Sequence, residues 1–193
     1  MSKPITISNG PGFLCIISDE LSEDIIPISI QVVKFCDLYV KTHEESGQKY
    51  FDSQGFLKAL SDCDDITFDK YKTSVMNQSE ATVVTMVDKI VTFLKDSSWT
   101  FTNLNMVKEY CWADFAKSAH GSSSWEYRMA VVFPNPDLPH HFYGAVTTIK
   151  LEANIQEESG WWGLSSSTSK NFSAHIDVLE LVVEKGFRAP TSA

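Results

Sequence analysis

Few side chains in this sequence have the types and spacing that chemistry requires, and they form no recognised catalytic motif. There is no Gly-x-Ser-x-Gly nucleophile motif, no glycine-rich phosphate loop and no His-Glu-x-x-His zinc motif. His140 and His141 are adjacent, and neighbouring strand residues point to opposite faces, so they are poorly placed to bind one metal ion. We therefore expect no enzyme activity, no catalytic residue, no cofactor and no metal site.

The acidic run DCDDITFD, residues 62–69, resembles the beginning of an EF-hand calcium loop. Counted from Asp62, the sixth residue is Thr67, where such a loop requires glycine. The twelfth is Thr73, which has no carboxylate to bind calcium through two oxygens. We interpret the run as a solvated acidic turn.

Composition and charge are those of a globular protein that repels nucleic acid. The chain has 193 residues, of which 43% are hydrophobic and 21% charged, enough for one domain with a sizeable core. Its formal net charge is −9, and Arg128 and Arg188 are its only arginines. This charge disfavours nucleic acid and anionic lipid as partners, so a membrane partner would be neutral or recognised locally.

The N-terminal sequence and the cysteines bear on where the protein is made. We see no apolar segment typical of a secretory signal, and no run of about 18 apolar residues that would predict a membrane-spanning helix. The four cysteines are widely spaced, without a Cys-x-x-Cys pair, so we expect reduced thiols. The sequence is consistent with a protein made in soluble form without a visible signal peptide.

Hydrophobic spacing in the first half predicts mostly helices. Residues 12–18 could form a short buried strand. Pro27 suits the first turn of an amphipathic helix, and a second short helix is expected to begin near Asp52 or Ser53. A third is predicted over residues 77–95, with Asn77 and Glu80 forming a capping box. The apolar stripe of the first helix comprises Ile28, Val32, Phe35, Cys36, Tyr39 and Val40.

The second half has the period-two alternation of strands. Alternating segments cover residues 123–133, 141–155 and 170–187, and residues 109–117 could form another strand. Turn residues between these segments favour antiparallel neighbours. The order of helices first and strands second predicts an α+β fold, with helices packed on a central sheet in a single domain, residues 1–193. The segments are about 11–16 residues long, well above the typical 5–6.

Two features raise the possibility of contact with a membrane. The long strands exceed the length of about 9–11 residues with which a strand crosses a bilayer. The face that carries Tyr143, Thr147, Ile149 and Leu151 is apolar enough to meet lipid, although packing beneath helices is the simpler explanation. The adjacent pair Trp161 and Trp162 is either a plug in the core or turn, an interfacial anchor, or a glycan platform.

Several segments resemble a known family of cytolysins. SSWEYRMAVVF (123–133), FYGAVTTIKLEANIQEESGWWGLSSSTSKNF (142–172) and HIDVLELVVEKGFRAP (175–190) are similar to the volvatoxin and Cyt-type delta-endotoxin family. Upstream, DIIPISIQVVKF (24–35), YFDSQGF (50–56), FDKY (68–71), MVDKIVTFL (86–94) and TFTNLN (100–105) are similar to segments of the same family. The resemblance extends over about residues 20–190.

The resemblance implies one domain in which helical hairpins flank an antiparallel sheet of long strands. It also implies a pore-forming cytolysin that acts extracellularly, binds lipid of a target membrane and associates with itself there, with a glycan as a further candidate partner. The residues that we assign to these roles are Trp161, Trp162 and Leu164 at the membrane interface, Tyr143, Thr147, Ile149 and Leu151 on an inserting strand face, and Lys170, Lys185 and Arg188 as head-group or glycan contacts.

The sequence departs from the family pattern at one place. Family members have a further helix between the segments corresponding to 86–94 and 100–105, where this chain has only residues 95–99. A shortened second hairpin would either leave the sheet less protected and easier to open or produce a lipid- or glycan-binding protein that no longer forms pores. Both alternatives stay open at the level of sequence.

Overall fold

The computed structural model describes residues 5–8, 13–18, 20–45, 47–81, 83–96, 124–153 and 170–193. They form a mixed α+β fold with a central sheet flanked by helices, as predicted from the sequence. The elements are, in chain order, β1 (Ile5–Ser8), β2 (Leu14–Ile17), a 3₁₀ turn (Glu23–Ile25), α1 (Ile26–Asp37), β3 (Val40–Thr42), β4 (Lys49–Phe51), α2 (Ser53–Leu60), β5 (Ile66–Ala81), α3 (Val83–Asp96), β6 (Ser124–Pro134), β7 (His141–Ala153) and β8 (Lys170–Glu184).

Six of the described strands form the central sheet, in the order β1-β2-β6-β7-β8-β5, and β3 pairs with β4 in a separate small sheet. The central sheet is mixed, whereas the sequence predicted an antiparallel one. Strand β1 is antiparallel to β2, but β2 is parallel to β6, with Leu14 opposite Met129. Parallel neighbours need a long crossover connection, and the chain between β2 and β6 includes all three described helices.

Helix α1 begins as its sequence predicts. Pro27 lies in the first turn, where its missing N–H has no helical partner to lose. The buried hydroxyl of Ser29 donates to the carbonyl of Ile25 at 2.9 Å. The helix ends at Asp37, so Tyr39 and Val40, which the sequence placed on its stripe, lie beyond it.

Helix α2 begins at Ser53, within the predicted range. Asp52 is its cap, because its Oδ1 accepts a hydrogen bond from the amide of Gly55 at 3.0 Å. Its other oxygen accepts from Lys41 Nζ at 2.7 Å. The Lys41 ammonium and then the Gly55 amide hold the pKa of Asp52 below its usual value.

Helices α1 and α2 cover one face of the sheet through a single apolar core. The helices contribute Val32, Val33, Phe35, Cys36, Phe56 and Leu60, and strands β6, β7 and β8 contribute Ala130, Val132, Phe142, Val146, Leu179, Leu181 and Val183. At about 25 cal/mol for each Å² of apolar surface removed from water, this layer stabilises the fold substantially.

The start of the third helix corrects the sequence prediction. Residues 77–81 belong to β5, and α3 begins at Val83. Glu80 has a left-handed backbone with φ 53°, and its amide donates to Asn171 Oδ1 at 3.2 Å, an arrangement incompatible with a helical capping box. Pairing of this segment with β8 therefore outweighs its local capping signal.

Three cysteines are free thiols, as expected. Cys15 and Cys36 are buried and Cys63 is half-buried, whereas Cys111 lies outside the described residues. Burial raises the pKa of Cys15 to about 12 and that of Cys36 well above its usual value. Both are therefore unreactive core residues.

The chain divides into two compact units. The first comprises residues 1–72, 128–148 and 178–193, and the second comprises residues 73–127 and 149–177. The first unit contains α1 and α2, and the second contains α3. The boundary cuts each of the four long strands, so every one of them contributes residues to both units. A single domain over residues 1–193 stays a prediction.

Asp37, the last residue of α1, is an unfavourably placed carboxylate. Its Oδ1 is buried and has no hydrogen-bond partner among the described residues, and a negative charge is disfavoured at a helix C-terminus. Burial raises the pKa of Asp37 from 3.8 to about 6, although Arg128, a hydrogen bond from the backbone of Phe13 and Lys49 favour the charged form. Because the folded state keeps a proton that the unfolded chain has released, this group contributes stability below about pH 4 that is lost as the pH rises through 6.

We predict that Asp37→Asn stabilises the fold at pH 7.5 and has little effect at pH 4. The expected gain is about 1 kcal/mol, after allowance for the partial exposure of the carboxyl. Thermal unfolding of both proteins across this pH range is the measurement, with the exposed Asp62→Asn as control. A constant difference between wild type and Asp37→Asn at all pH values would contradict the assignment.

Candidate membrane-inserting face

Strands β6, β7 and β8 bury side chains on both faces for part of their length. On β7, residues 144–149 are all buried. On one face, Phe142 and Val146 pack in the core beneath α1 and α2. We call the opposite face the apolar face; it carries Tyr127, Met129, Val131 and Phe133 on β6, Tyr143, Ala145, Thr147, Ile149 and Leu151 on β7, and Phe172, Ala174, Ile176, Val178, Glu180 and Val182 on β8.

Contacts within the first unit show that the three strands present these residues on the same side. The rings of Phe133 and Tyr143 stack with centroids 5.2 Å apart and planes 29° apart. The charge of Glu180 in turn raises the pKa of the Tyr143 phenol. Alternation along each strand then places the remaining members of the apolar face.

The residues predicted for an inserting face lie together on β7. Thr147, Ile149 and Leu151 are at most 1% exposed, and Tyr143 is half-buried. They are therefore covered in this conformation, and they would have to be uncovered before they could reach lipid. Whether they insert stays a prediction.

Beyond residue 149, β7 becomes amphipathic in the manner of a half-buried strand. Lys150 and Glu152 are exposed, whereas Ile149 and Leu151 are buried. The first half of β8 repeats the pattern, with buried residues on the apolar face and polar residues opposite. The polar set is Asn171, Ser173, His175 and Asp177, all exposed or half-buried.

Glu180 is the one carboxylate on the apolar face. It is half-buried, and burial raises its pKa; Lys70 on β5 opposes this shift, and a hydrogen bond with Asp69 adds to it. Burial also raises the pKa of the Tyr143 phenol, with further contributions from Asp69, Glu180 and Asp137. The sequence placed Glu180 on this face but gave no sign of its partners.

Two polar contacts between β5 and β8 give the relative direction of these strands. The amide of Glu184 donates to the carbonyl of Asp65 at 2.8 Å in the first unit. In the second unit, Thr73 Oγ1 lies 3.2 Å from His175 Nε2. Since residue numbers rise on one strand as they fall on the other, β5 and β8 are antiparallel.

The other predicted site residues are only partly described. Trp161, Trp162 and Leu164 lie outside the described residues. Lys170 is the first residue of β8, and Lys185 follows its last residue. The amide of Lys185 donates to the carbonyl of His140 at 3.1 Å, and the exposed Arg188 donates to the carbonyl of Phe187 at 2.7 Å.

The two adjacent histidines do not converge on a common site. His141 Nε2 lies 3.3 Å from Glu184 Oε1, whereas the side chain of His140 is exposed. In the part of the chain that the structure describes, no three His, Cys, Asp or Glu side chains are grouped as metal ligands. The helices of that part are also too short or too polar to cross a bilayer.

Comparison with solved structures identifies the fold. The chain is similar to the activated Cyt2Ba monomer from Bacillus thuringiensis subsp. israelensis, with a TM-score of 0.69 and 11% identity over 90% of this chain and 98% of that one. It is also similar to a delta-endotoxin, with a TM-score of 0.70 and 11% identity over 100% of this chain and 92% of that one. The fold is that of the Cyt delta-endotoxins.

The sequence comparisons add no closer relationship. No protein-family model matches the chain, and no curated protein matches it in sequence. The Cyt-type part of the predicted resemblance is therefore supported at the level of fold, and the relationship to volvatoxin stays a prediction. The shortened hairpin falls largely on residues outside the described ranges. One of these neighbours is named as a delta-endotoxin and neither is named as an enzyme, in agreement with the expected lack of catalysis.

The main element that sequence reasoning missed is β5, which runs from Ile66 to Ala81. Only its two end residues are buried, so its sequence has no apolar alternation. Phe68, Tyr71 and Val75 are large hydrophobic residues exposed along it. The clustering of Thr, Phe, Tyr and Val over 67–75 was the available signal, since these residues favour strands.

Thr147 offers a test of how tightly the apolar face is covered. Its Oγ1 is buried and has no hydrogen-bond partner among the described residues. Replacing a buried, unpaired hydroxyl by a methyl group of similar size removes a desolvation penalty. We predict that Thr147→Val raises the free energy of unfolding by about 1 kcal/mol. Thr147→Ser, which keeps the hydroxyl and loses the methyl, should lower it by a similar amount.

Thermal unfolding of the three proteins is the measurement. Destabilisation by Thr147→Val would show that the hydroxyl has a partner that stabilises the fold, and would contradict the prediction.

Proposed function

We propose that the protein is a cytolysin that binds a target membrane, associates with itself there and makes the membrane permeable. The observation that carries the proposal is the apolar face of three adjacent long strands on the fold of the Cyt delta-endotoxins. The proposed activity requires burial of strands in lipid and no catalysis or cofactor.

The strand lengths fit passage through a bilayer. Strands β6, β7 and β8 have 11, 13 and 15 residues. A transmembrane strand needs about 9–11 residues. Strands can enter lipid only if their backbone N–H and C=O groups are paired, and closure of a sheet between several copies would meet that requirement. Self-association on the membrane therefore belongs to the proposal.

The alternation of residues supports the same activity. In β7 from residue 149 onward, Ile149 and Leu151 would face lipid, whereas Lys150 and Glu152 would face water. The first half of β8 has the same two-sided character. Such alternation is the pattern of membrane strands that have lipid on one side and an aqueous lumen on the other.

The partners follow from the proposed activity and from the charge. We propose a lipid of the target cell, met from outside that cell, as the primary partner, with a glycan as a further candidate. A net charge of −9 disfavours anionic lipid and nucleic acid. A neutral head group is therefore the expected contact, and Lys185 and Arg188 are candidates to bind its phosphate.

We predict that the protein releases a trapped dye from neutral phosphatidylcholine liposomes and lyses red cells at micromolar concentration. Sizing of detergent-extracted protein from the same liposomes should show an oligomer, because the strand edges must be paired in lipid. Folding is checked beforehand by circular dichroism.

Binding to liposomes without release would contradict pore formation and favour a non-lytic lipid-binding protein. Neither binding nor release by the folded protein on liposomes and red cells would contradict membrane action altogether.

We predict that replacing Trp161 and Trp162 together by alanine weakens liposome binding by tenfold or more for each folded molecule. Each tryptophan buries about 150–250 Å², and about 25 cal/mol for each Å² makes the pair a strong anchor. Co-sedimentation, corrected for the folded fraction, is the measurement. The control is Ser165→Ala with Ser166→Ala, in the same segment.

Adjacent side chains near a strand end can face opposite ways, so the single variants should differ. One should lower thermal stability, and the other should lower binding. If the double variant loses only stability and binds normally when folded, the tryptophans are core residues.

A further inference from the structure

We propose that Glu180 is the proton-binding residue of membrane entry: β8 enters the bilayer with this carboxyl neutral, so acid conditions promote permeabilisation. The inference rests on the function proposed above and names the residue that regulates it. It starts from the position of one carboxylate on a face that is otherwise free of charge.

The apolar face carries uncharged side chains except at Glu180. The other five members on β8 are Phe172, Ala174, Ile176, Val178 and Val182. The members on β6 and β7 are apolar or carry only a hydroxyl group. A bilayer-facing strand surface excludes charge, and a charged side chain there is disfavoured by an amount that depends on depth. Glu180 is therefore the residue of this face that must change before the face can meet lipid.

The surroundings of Glu180 in this conformation explain how its charge is tolerated. Lys70 on β5 attracts the ionised carboxylate, while Asp69 repels it and forms a hydrogen bond with the protonated form. Glu180 and Asp137, in the turn after β6, both raise the pKa of the Tyr143 phenol on β7. The protein thus holds a half-buried carboxyl beside one cation, Lys70, and one further acid, Asp69.

Entry into lipid would remove these compensations. Lys70 belongs to β5, a mostly exposed strand that also carries Asp69, Lys72 and Glu80 and has no continuous apolar face, so it does not share the apolar character of β8. Desolvation in lipid raises the pKa of a carboxyl further than partial burial in a protein does. Since the inserted state has the higher pKa, insertion takes up one proton at Glu180. Its equilibrium rises as the pH falls, by at most about tenfold for each pH unit.

Two other ionisable groups have to be separated from this effect. Protonation of Asp37 stabilises the folded state, so a fall in pH acts through this residue against opening of the fold. His175 lies on the polar side of β8, 3.3 Å from Asp177, and would face water. Neither residue lies on the apolar face.

The experiment measures initial rates of dye release from phosphatidylcholine liposomes between pH 7.5 and pH 5.5, since this head group keeps its net charge over that range. Wild type should release dye faster at pH 5.5, by up to about 100-fold. Glu180→Gln, which mimics the neutral carboxyl, should be at least tenfold faster than wild type at pH 7.5 and change less than threefold with pH.

The controls are Glu152→Gln on the exposed side of β7, Asp37→Asn and His175→Gln. Glu152→Gln and His175→Gln should keep the pH dependence of wild type. Asp37→Asn should keep it or make it steeper, because it removes a protonation that opposes opening. Circular dichroism and thermal unfolding establish that every variant is folded at both pH values.

Release by wild type that is equal at both pH values would overturn the inference and leave the proposed cytolysin intact. So would a Glu180→Gln variant that releases dye with the pH dependence of wild type. Lack of release by every folded variant at every pH would instead overturn the proposed function itself, and the inference with it.

Discussion

The structure depends on one constraint: the strands β6, β7 and β8 have apolar residues on both faces, so the sheet is stable in water only while both faces are covered. On one face the cover consists of α1 and α2, through a core that includes Phe35, Phe56 and Phe142. The other face is buried at Thr147, Ile149 and Leu151. A sheet of this composition gains as much from lipid as from a layer of helices, because both remove apolar surface from water.

This constraint connects the fold with the proposed activity. The bilayer competes with the protein's own cover for the apolar face, and the residues that stabilise the fold in water by being buried there are those that would stabilise the inserted state. The polar groups on or near this surface then decide between the two states. Glu180 favours water while it is charged, and the unpaired hydroxyl of Thr147 weakens the cover over its own strand.

Much of the fold could be predicted because it depends on local signals. Pro27 and Asp52 mark the starts of α1 and α2, and the alternation of apolar residues marks β6, β7 and β8. β5 could not be predicted, because an edge strand with little buried surface has no alternation. The capping signal at Asn77 and Glu80 was misleading, since pairing with β8 extends the strand through these residues.

The candidate site was predictable in part, because the alternation of side chains along a strand is also a local signal. Alternation alone places Tyr143, Ile149 and Glu180 on their faces. The partners of Glu180, in contrast, come from β5 more than a hundred positions earlier in the chain, and no local pattern reports such a contact.

Hydrogen–deuterium exchange of the liposome-bound protein tests the central claim most directly. If lipid replaces the cover of the apolar face, amides of β6, β7 and β8 stay protected, because their partners are in neighbouring strands. Amides of α1 and α2, which cover the opposite face, should keep their protection. Amides of α3, whose Met86 and Ile90 are buried in the free protein, should exchange faster, since a helix of 14 residues is marginal without a core to pack on. Equal protection of α3 in the free and the membrane-bound protein, while dye is being released, would contradict the account.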